Sequence, residues 1–136
     1  MPDAALAQAR NVAGVLASLS GDPSGAERLL RASLEEANKL DDPGAAVAAL
    51  NNLARLLNEI GRTEEAIATA EEALTRGVQH GDVHRIAALH SNLADLLHAT
   101  GRSEESIAHL KEAAVGFATV DAEGDTSPRV WTLVDW

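Results

Sequence analysis

Apolar residues recur every three or four positions along most of this chain, which is the spacing of one face of an α-helix. The clearest run is Val47, Leu50, Leu53, Ala54 and Leu57, which all fall on one side of a helix. Polar or glycine-containing breaks separate such runs at regular intervals. The pattern predicts helices at about residues 4–20, 23–40, 43–60, 64–79, 83–100 and 104–120.

Residues that favour helix ends stand at the predicted boundaries. Gly61 is placed to end one helix, because glycine adopts the left-handed cap conformation without strain. Thr63 is a favourable N-cap for the helix that follows. Pro23 and Pro43 each follow an aspartate and take a first helical position, where the missing N–H is harmless. Because the breaks are short, we expect consecutive helices to pack antiparallel.

A sequence repeat groups the helices into pairs. Three glycines in the predicted turns stand 40 residues apart: Gly21, Gly61 and Gly101. Residues 61–65 (GRTEE) nearly match residues 101–105 (GRSEE), and residues 52–57 (NLARLL) nearly match residues 92–97 (NLADLL). We therefore predict one domain over residues 1–136, with repeats at about 4–42, 43–82 and 83–121.

The repeated unit resembles the tetratricopeptide repeat. It has glycine or alanine in its first helix, glycine at the turn, and small and leucine residues at contact positions of its second helix. Three units cover roughly residues 5–120. The resemblance implies an all-α solenoid of three helix hairpins, six helices in total, which acts as a non-catalytic protein-interaction module.

The length of the unit refines this resemblance. A 40-residue unit exceeds the usual length of about 34 residues, and is similar to the kinesin-light-chain-like and bacterial regulator variants. The third unit and the tail are similar to the C-terminal repeats of multidomain actinobacterial regulators. This second resemblance implies a signalling regulator as the context of the domain.

Charge and composition exclude several classes of partner and chemistry. The chain has 21 acidic and 11 basic side chains, a net charge of −10, so we expect no nucleic acid partner. It has no cysteine, which excludes disulfides and thiolate metal sites. The apolar run Val12–Leu19 is too short to span a bilayer, and Asp3 is unfavourable in a signal peptide. We expect a cytoplasmic protein with no membrane partner.

No arrangement of residues in the sequence points to catalysis. The chain contains neither a phosphate-binding loop nor an HExxH zinc motif. His80, Asp82 and His84 lie close in sequence but around a predicted loop, where the helical His-x3-His geometry does not form. We place His90 at a packing position and pair His109 with Glu105 one turn back. We therefore expect no enzyme activity, no cofactor and no metal.

The resemblance places the first helix of each unit along a concave groove. Polar residues at the matching positions are our candidates for binding a peptide or partner segment: Asn51, Asn52, Arg55, Asn58, Asn92, Asp95 and His98. Asparagine both donates to and accepts from an extended backbone, and arginine can grip a carboxylate in two places. Two alternatives stay open: Arg55 and Asp95 neutralise each other, or all these residues are simply solvated.

A tail at residues 122–136 follows the repeats. Ser127 and Pro128 form a helix start, which predicts a short capping helix at about 128–135. Its apolar residues form a candidate end-interface: Val130, Trp131, Val134 and Trp136. They either cover the open end of the last repeat or dock another molecule. The alternative function is therefore an assembly or regulatory tail, which forms a homodimer or docks a larger signalling protein through the solenoid ends.

Overall fold

A computed structural model describes residues 3–80 and 83–122. All regular structure in these ranges is helical. The helices are α1 (Ala4–Leu19), α2 (Pro23–Lys39), α3 (Pro43–Glu59), α4 (Thr63–His80), α5 (Val83–Ala99) and α6 (Ser103–Ala122). The predicted helices are confirmed, each within two residues at either end. The predicted capping helix and the end-interface residues Val130, Trp131, Val134 and Trp136 lie outside the described residues.

Aspartate side chains start the first three helices. Their carboxylates accept hydrogen bonds from backbone N–H groups of the first turn: Asp3 from Ala5 at 2.9 Å, Asp22 from Gly25 at 3.0 Å and Asp42 from Ala45 at 3.1 Å. Such a bond pairs an N–H group that has no partner within the helix. The local sequence therefore fixes where these helices begin.

Glycines with positive φ form the turn inside each hairpin. Gly21, Gly61 and Gly101 have φ of 83°, 86° and 80°, a left-handed conformation that strains residues with a Cβ. The turns bring each pair of helices side by side. The result is an all-α solenoid of three hairpins, α1–α2, α3–α4 and α5–α6.

The core runs through the hairpins rather than lying inside each one. One cluster of buried residues joins Leu30 of α2, Leu57 of α3, Ile67 of α4 and Leu97 of α5. Helix α3 has neighbours on both sides, and every residue from Ala46 to Ala54 is buried. Each hairpin therefore depends on the next one to cover its apolar side.

The outer faces of the second helices carry ion pairs. Three of these pairs join residues one turn apart on the same helix: Glu27–Arg31, Glu35–Lys39 and Glu72–Arg76. Arg62 also contacts Glu27 at 2.9 Å and so links the first hairpin to the second. The hydrogen bond from Arg31, together with the nearby charge of Arg62, lowers the pKa of Glu27. The three pairs within single helices contribute only a few tenths of a kcal/mol each.

Close packing inside the first hairpin depends on Gly14. A Cβ at this position would lie 2.8 Å from Cγ of Leu30, and Leu30 is itself 1% exposed. At Gly44, by contrast, the nearest atom to such a Cβ is Nη1 of Arg85 at 3.4 Å, the end of a flexible side chain. Gly14 lies in the interior of α1 and Gly44 in the first turn of α3, so the gain in helix propensity from alanine applies fully only at Gly14.

We predict that Gly14→Ala leaves the protein less stable than Gly44→Ala by about 1–3 kcal/mol, the usual cost of overpacking. Urea unfolding followed by circular dichroism measures both free energies of unfolding. Equal values for the two variants would show that Leu30 moves aside freely and would contradict the prediction.

Candidate functional site

The first helices of the hairpins, α1, α3 and α5, line two cavities on one side of the solenoid. We call this side the groove face. The smaller cavity, about 200 Å³, lies between α3 and α5, and Ala70 of α4 completes its lining. The larger, about 480 Å³, lies near the first turns of α1 and α3 and extends to Arg85 of α5. Within the described residues, both cavities are positioned by the packing of one hairpin on the next.

The smaller cavity brings together most of the predicted groove residues. Five of the seven candidates line it: Asn51, Arg55, Asn58, Asn92 and Asp95. Asn52 and His98 are not among its lining residues. His98 is instead exposed in the last turn of α5.

Two asparagine pairs connect successive repeats across the groove face. Nδ2 of Asn52 donates to Oδ1 of Asn11 at 3.0 Å, and Nδ2 of Asn92 donates to Oδ1 of Asn51 at 2.9 Å. Each pair joins residues 41 apart in sequence, so the same contact recurs once per repeat. We call these two contacts the asparagine rungs.

The rungs leave buried amide atoms without a partner. Asn51 is 2% exposed and Asn52 is 4% exposed. Nδ2 of Asn51 and Oδ1 of Asn52 make no hydrogen bond within the described part of the chain. A buried polar atom left unpaired costs about 1–3 kcal/mol. A ligand that supplied a carbonyl or an N–H group here would remove that cost.

Acidic side chains outnumber basic ones in the lining of the smaller cavity. Glu59 and Asp95 bring two carboxylates, whereas Arg55 is the one basic residue in the lining. None of the ion pairs between described residues includes Arg55 or Asp95, so the two do not form a direct ion pair. Glu59 accepts a hydrogen bond from the Ser18 hydroxyl at 3.1 Å. The cavity therefore carries a net negative charge.

The larger cavity was not predicted as a site. Its walls are mainly the methyl groups of Ala4, Ala5, Ala7, Ala45 and Ala48. Asp42 and Arg85 contribute charge at its border. Alanine at such positions looks in the sequence like ordinary helix packing. Only the approach of three helices shows that these side chains enclose an open volume.

Three of the histidines pack against another aromatic ring. Nδ1 of His90 lies 2.8 Å from Nδ1 of His109, and the ring of His84 meets that of Phe117 edge-on at 5.2 Å. The predicted pairing of His109 with Glu105 is wrong, because Glu105 instead accepts hydrogen bonds from Arg102. In residues 3–80 and 83–122 no group of three metal-ligating side chains comes together.

Comparison with known proteins identifies the family. The profile of the tetratricopeptide repeat family matches residues 3–77 and 45–114. The chain belongs to this family, whose domains generally mediate protein–protein interactions and are typically non-catalytic. No curated protein matches this sequence significantly. In the described residues no helix is both long and apolar enough to cross a bilayer.

Two crystal structures are similar in fold. BtubC (BKLC) from P. vanneervenii matches with a TM-score of 0.79 and 20% identity, over 93% of this chain and 52% of that one. The TPR domain of Arabidopsis FLU matches with a TM-score of 0.63 and 20% identity, over 92% of this chain and 100% of that one. The present chain thus spans about half the length of BtubC.

His90, which packs between α5 and α6, makes stability depend on pH. Burial lowers the pKa of His90 from its usual 6.5, and the charge of His109 lowers it further, against a smaller opposite effect of Glu112. Because the folded-state pKa is the lower one, the unfolded chain binds protons first as the pH falls. The full stability is therefore present above about pH 6.5 and is lost progressively below it.

We predict that thermal stability falls as the pH is lowered from about 6.5 to about 5, through the titration of histidine, and that His90→Leu reduces this fall. Leucine stands at the equivalent position of the second repeat, as Leu50. His98→Gln, a change at the exposed end of α5, is the control and should keep the original pH dependence. An unchanged fall in His90→Leu would contradict the prediction. Melting curves at several pH values provide the measurement.

Proposed function

We propose that this domain binds an extended segment of a partner protein along the groove face. The observation that carries the proposal is Asn51, a buried amide that lines the smaller cavity and has an unpaired donor. Polar groups that a folded protein leaves unpaired in a cavity are a common mark of a ligand site. An extended peptide backbone offers the carbonyl groups that such a donor requires.

The repetition of the rungs supports an extended ligand over a compact one. Asn11, Asn52, Asn51 and Asn92 present amides at successive repeats along one side of the solenoid. A peptide in extended conformation shows backbone N–H and C=O groups at regular spacing along its length. The domain would then hold the backbone with amides and read the sequence through its two cavities.

A cytoplasmic location within a larger signalling regulator stays a prediction from the sequence. It agrees with the groove binding proposed here, because a peptide-binding solenoid within a larger protein brings its partner close to the other domains of that protein. Capture and identification of a partner that binds the groove face tests this prediction.

The ends of the solenoid give a second candidate function, which is assembly with another copy. Leu16 of α1 is 54% exposed, whereas Leu56 and Leu96, one and two repeats further on, are 2% and 7% exposed. At the other end Ile107 of α6 is 51% exposed, whereas its equivalent Ile67 is 2% exposed. These end residues have the same apolar character as those that join one repeat to the next.

The two ends differ, so an assembly through them is heterologous, with α1 of one copy against α6 of the next. Such a contact leaves one free end on each side and allows further copies to add. The observation that favours this candidate is the position of Leu16 and Ile107 in the repeat. The equivalent residues of the neighbouring repeats are buried where one repeat packs on the next.

We predict that Asn51→Ser weakens peptide binding at least tenfold, because it removes the unpaired donor and one rung. The probe is a peptide selected from a random 12-residue display library on the unaltered domain, with affinity measured by fluorescence polarisation. Asn38→Ser is the matched control, since Asn38 is exposed on α2 and accepts a hydrogen bond from Arg76 at 2.9 Å. Equal binding by all three proteins would place the peptide elsewhere and refute the groove.

We predict that a concentration-dependent increase in mass, if produced by the ends, is lost in Leu16→Arg and in Ile107→Glu. A mixture of these two variants keeps one intact face of each kind, so it should form dimers that grow no further. Val78→Glu changes another exposed apolar residue, 57% exposed on α4, and should behave as the unaltered chain. Analytical ultracentrifugation distinguishes these cases, and a constant monomer mass would eliminate self-assembly.

A further inference from the structure

The larger cavity suits an apolar occupant. Five of its eleven lining residues are alanines. Gln8 and Arg85 also line it, and three further polar groups of the lining have partners within the protein. The Ser33 hydroxyl donates to the Ala7 carbonyl at 2.6 Å, the Asp42 carboxylate accepts from the Ala45 N–H at 3.1 Å, and Asn11 belongs to the first rung. What remains open to a ligand is mainly methyl surface, which gains from covering apolar area.

The size of this cavity indicates a large side chain. Its volume is about 480 Å³, within the range of about 300–1,000 Å³ typical of ligand pockets. Water forms no hydrogen bonds with the methyl part of this wall, so an apolar group gains by displacing water from it. A bulky side chain such as phenylalanine, tryptophan or leucine fits this combination of size and chemistry.

The smaller cavity suits a basic occupant. Glu59 and Asp95 outnumber Arg55 in its lining, and the whole chain carries a net charge of −10. A long-range field of this sign raises the local concentration of basic segments and speeds their association. The lysine ammonium or arginine guanidinium of such a segment would be received by the Asp95 and Glu59 carboxylates.

The distance between the cavities sets the spacing of these two side chains. Ala45 and Ala48 line one cavity and Arg55 the other, which corresponds to about 10–15 Å along α3 at 1.5 Å per residue. The larger cavity is lined mostly by α1 and α3 and the smaller one mostly by α3 and α5, so the two are also offset sideways by roughly one interhelical distance of 8–10 Å. The combined separation, about 13–18 Å, is spanned by about four to six residues of extended chain.

We propose that the groove face recognises a segment with one bulky apolar side chain, held in the alanine-walled cavity, and one lysine or arginine four to six residues away, held by Asp95 and Glu59. In this arrangement the asparagine rungs lie between the two bound side chains and bind the backbone of the segment. This inference rests on the proposed function and adds the chemical class of the partner.

The test begins with the peptides selected from the random 12-residue library. We expect the selected sequences to share an apolar and a basic residue at this spacing. Replacing either residue by alanine in one selected peptide should weaken binding about tenfold or more. Peptides that bind without such a pair overturn the inference.

Variants of the domain test each cavity separately. Ala45→Leu and Ala5→Leu narrow the larger cavity from two sides and should weaken binding of the selected peptide. Ala5 is exposed, so its variant is expected to fold normally, and Ala68→Leu on the exposed face of α4 is the control. If both cavity variants bind as tightly as the control, the apolar side chain lies elsewhere and the inference fails.

The direction in which charge substitutions in the smaller cavity change the affinity tests the inference most directly. Asp95→Asn should weaken binding of the selected peptide, and Arg55→Gln should strengthen it. The opposite signs would mean that Arg55 grips an acidic residue, which overturns the inference but leaves groove binding intact. If Asn51→Ser also has no effect, the proposed function itself fails, so the two failures are distinguishable.

Discussion

Burial of α3 between two other hairpins is the interaction on which the rest of this structure depends. A single helix hairpin has two broad sides and can cover only one of them by itself. The continuous burial of Ala46–Ala54 shows the outcome for the central hairpin. The terminal hairpins have neighbours on one side only, which is why Leu16 and Ile107 stay exposed while their internal equivalents are buried.

The same packing that stabilises the stack also builds the proposed binding site. Small residues let the helices approach closely, and the groove face forms where α1, α3 and α5 lie side by side. Asn51 and Asn52 take part in both roles, because they join successive repeats and leave buried amide atoms unpaired. A change at Asn51 or Asn52 therefore affects stability and ligand recognition together. A change at the exposed residue Asp95 affects ligand recognition alone.

Much of this architecture was predictable because its causes are local. Helix boundaries follow from caps, prolines and the turn glycines, each of which acts within a few residues. The site was predictable in part: the repeat register placed Asn51, Arg55 and Asn92 on one side, and the structure brings them to one cavity. The pairing of His109 was wrong, since the choice between Glu105 and His90 depends on how α6 lies against α5.

The sequence by itself determined the helices, their pairing into hairpins and the family, because spacing and turn chemistry are written along the chain. Tertiary structure decided which polar side chains are buried and which volumes stay open. Asn52 and Arg55 look alike in a polar pattern, but one is sealed against Asn11 and the other faces solvent. The alanine-walled cavity was likewise decided by the tertiary structure, since an open volume depends on the distance between helices and not on any one residue.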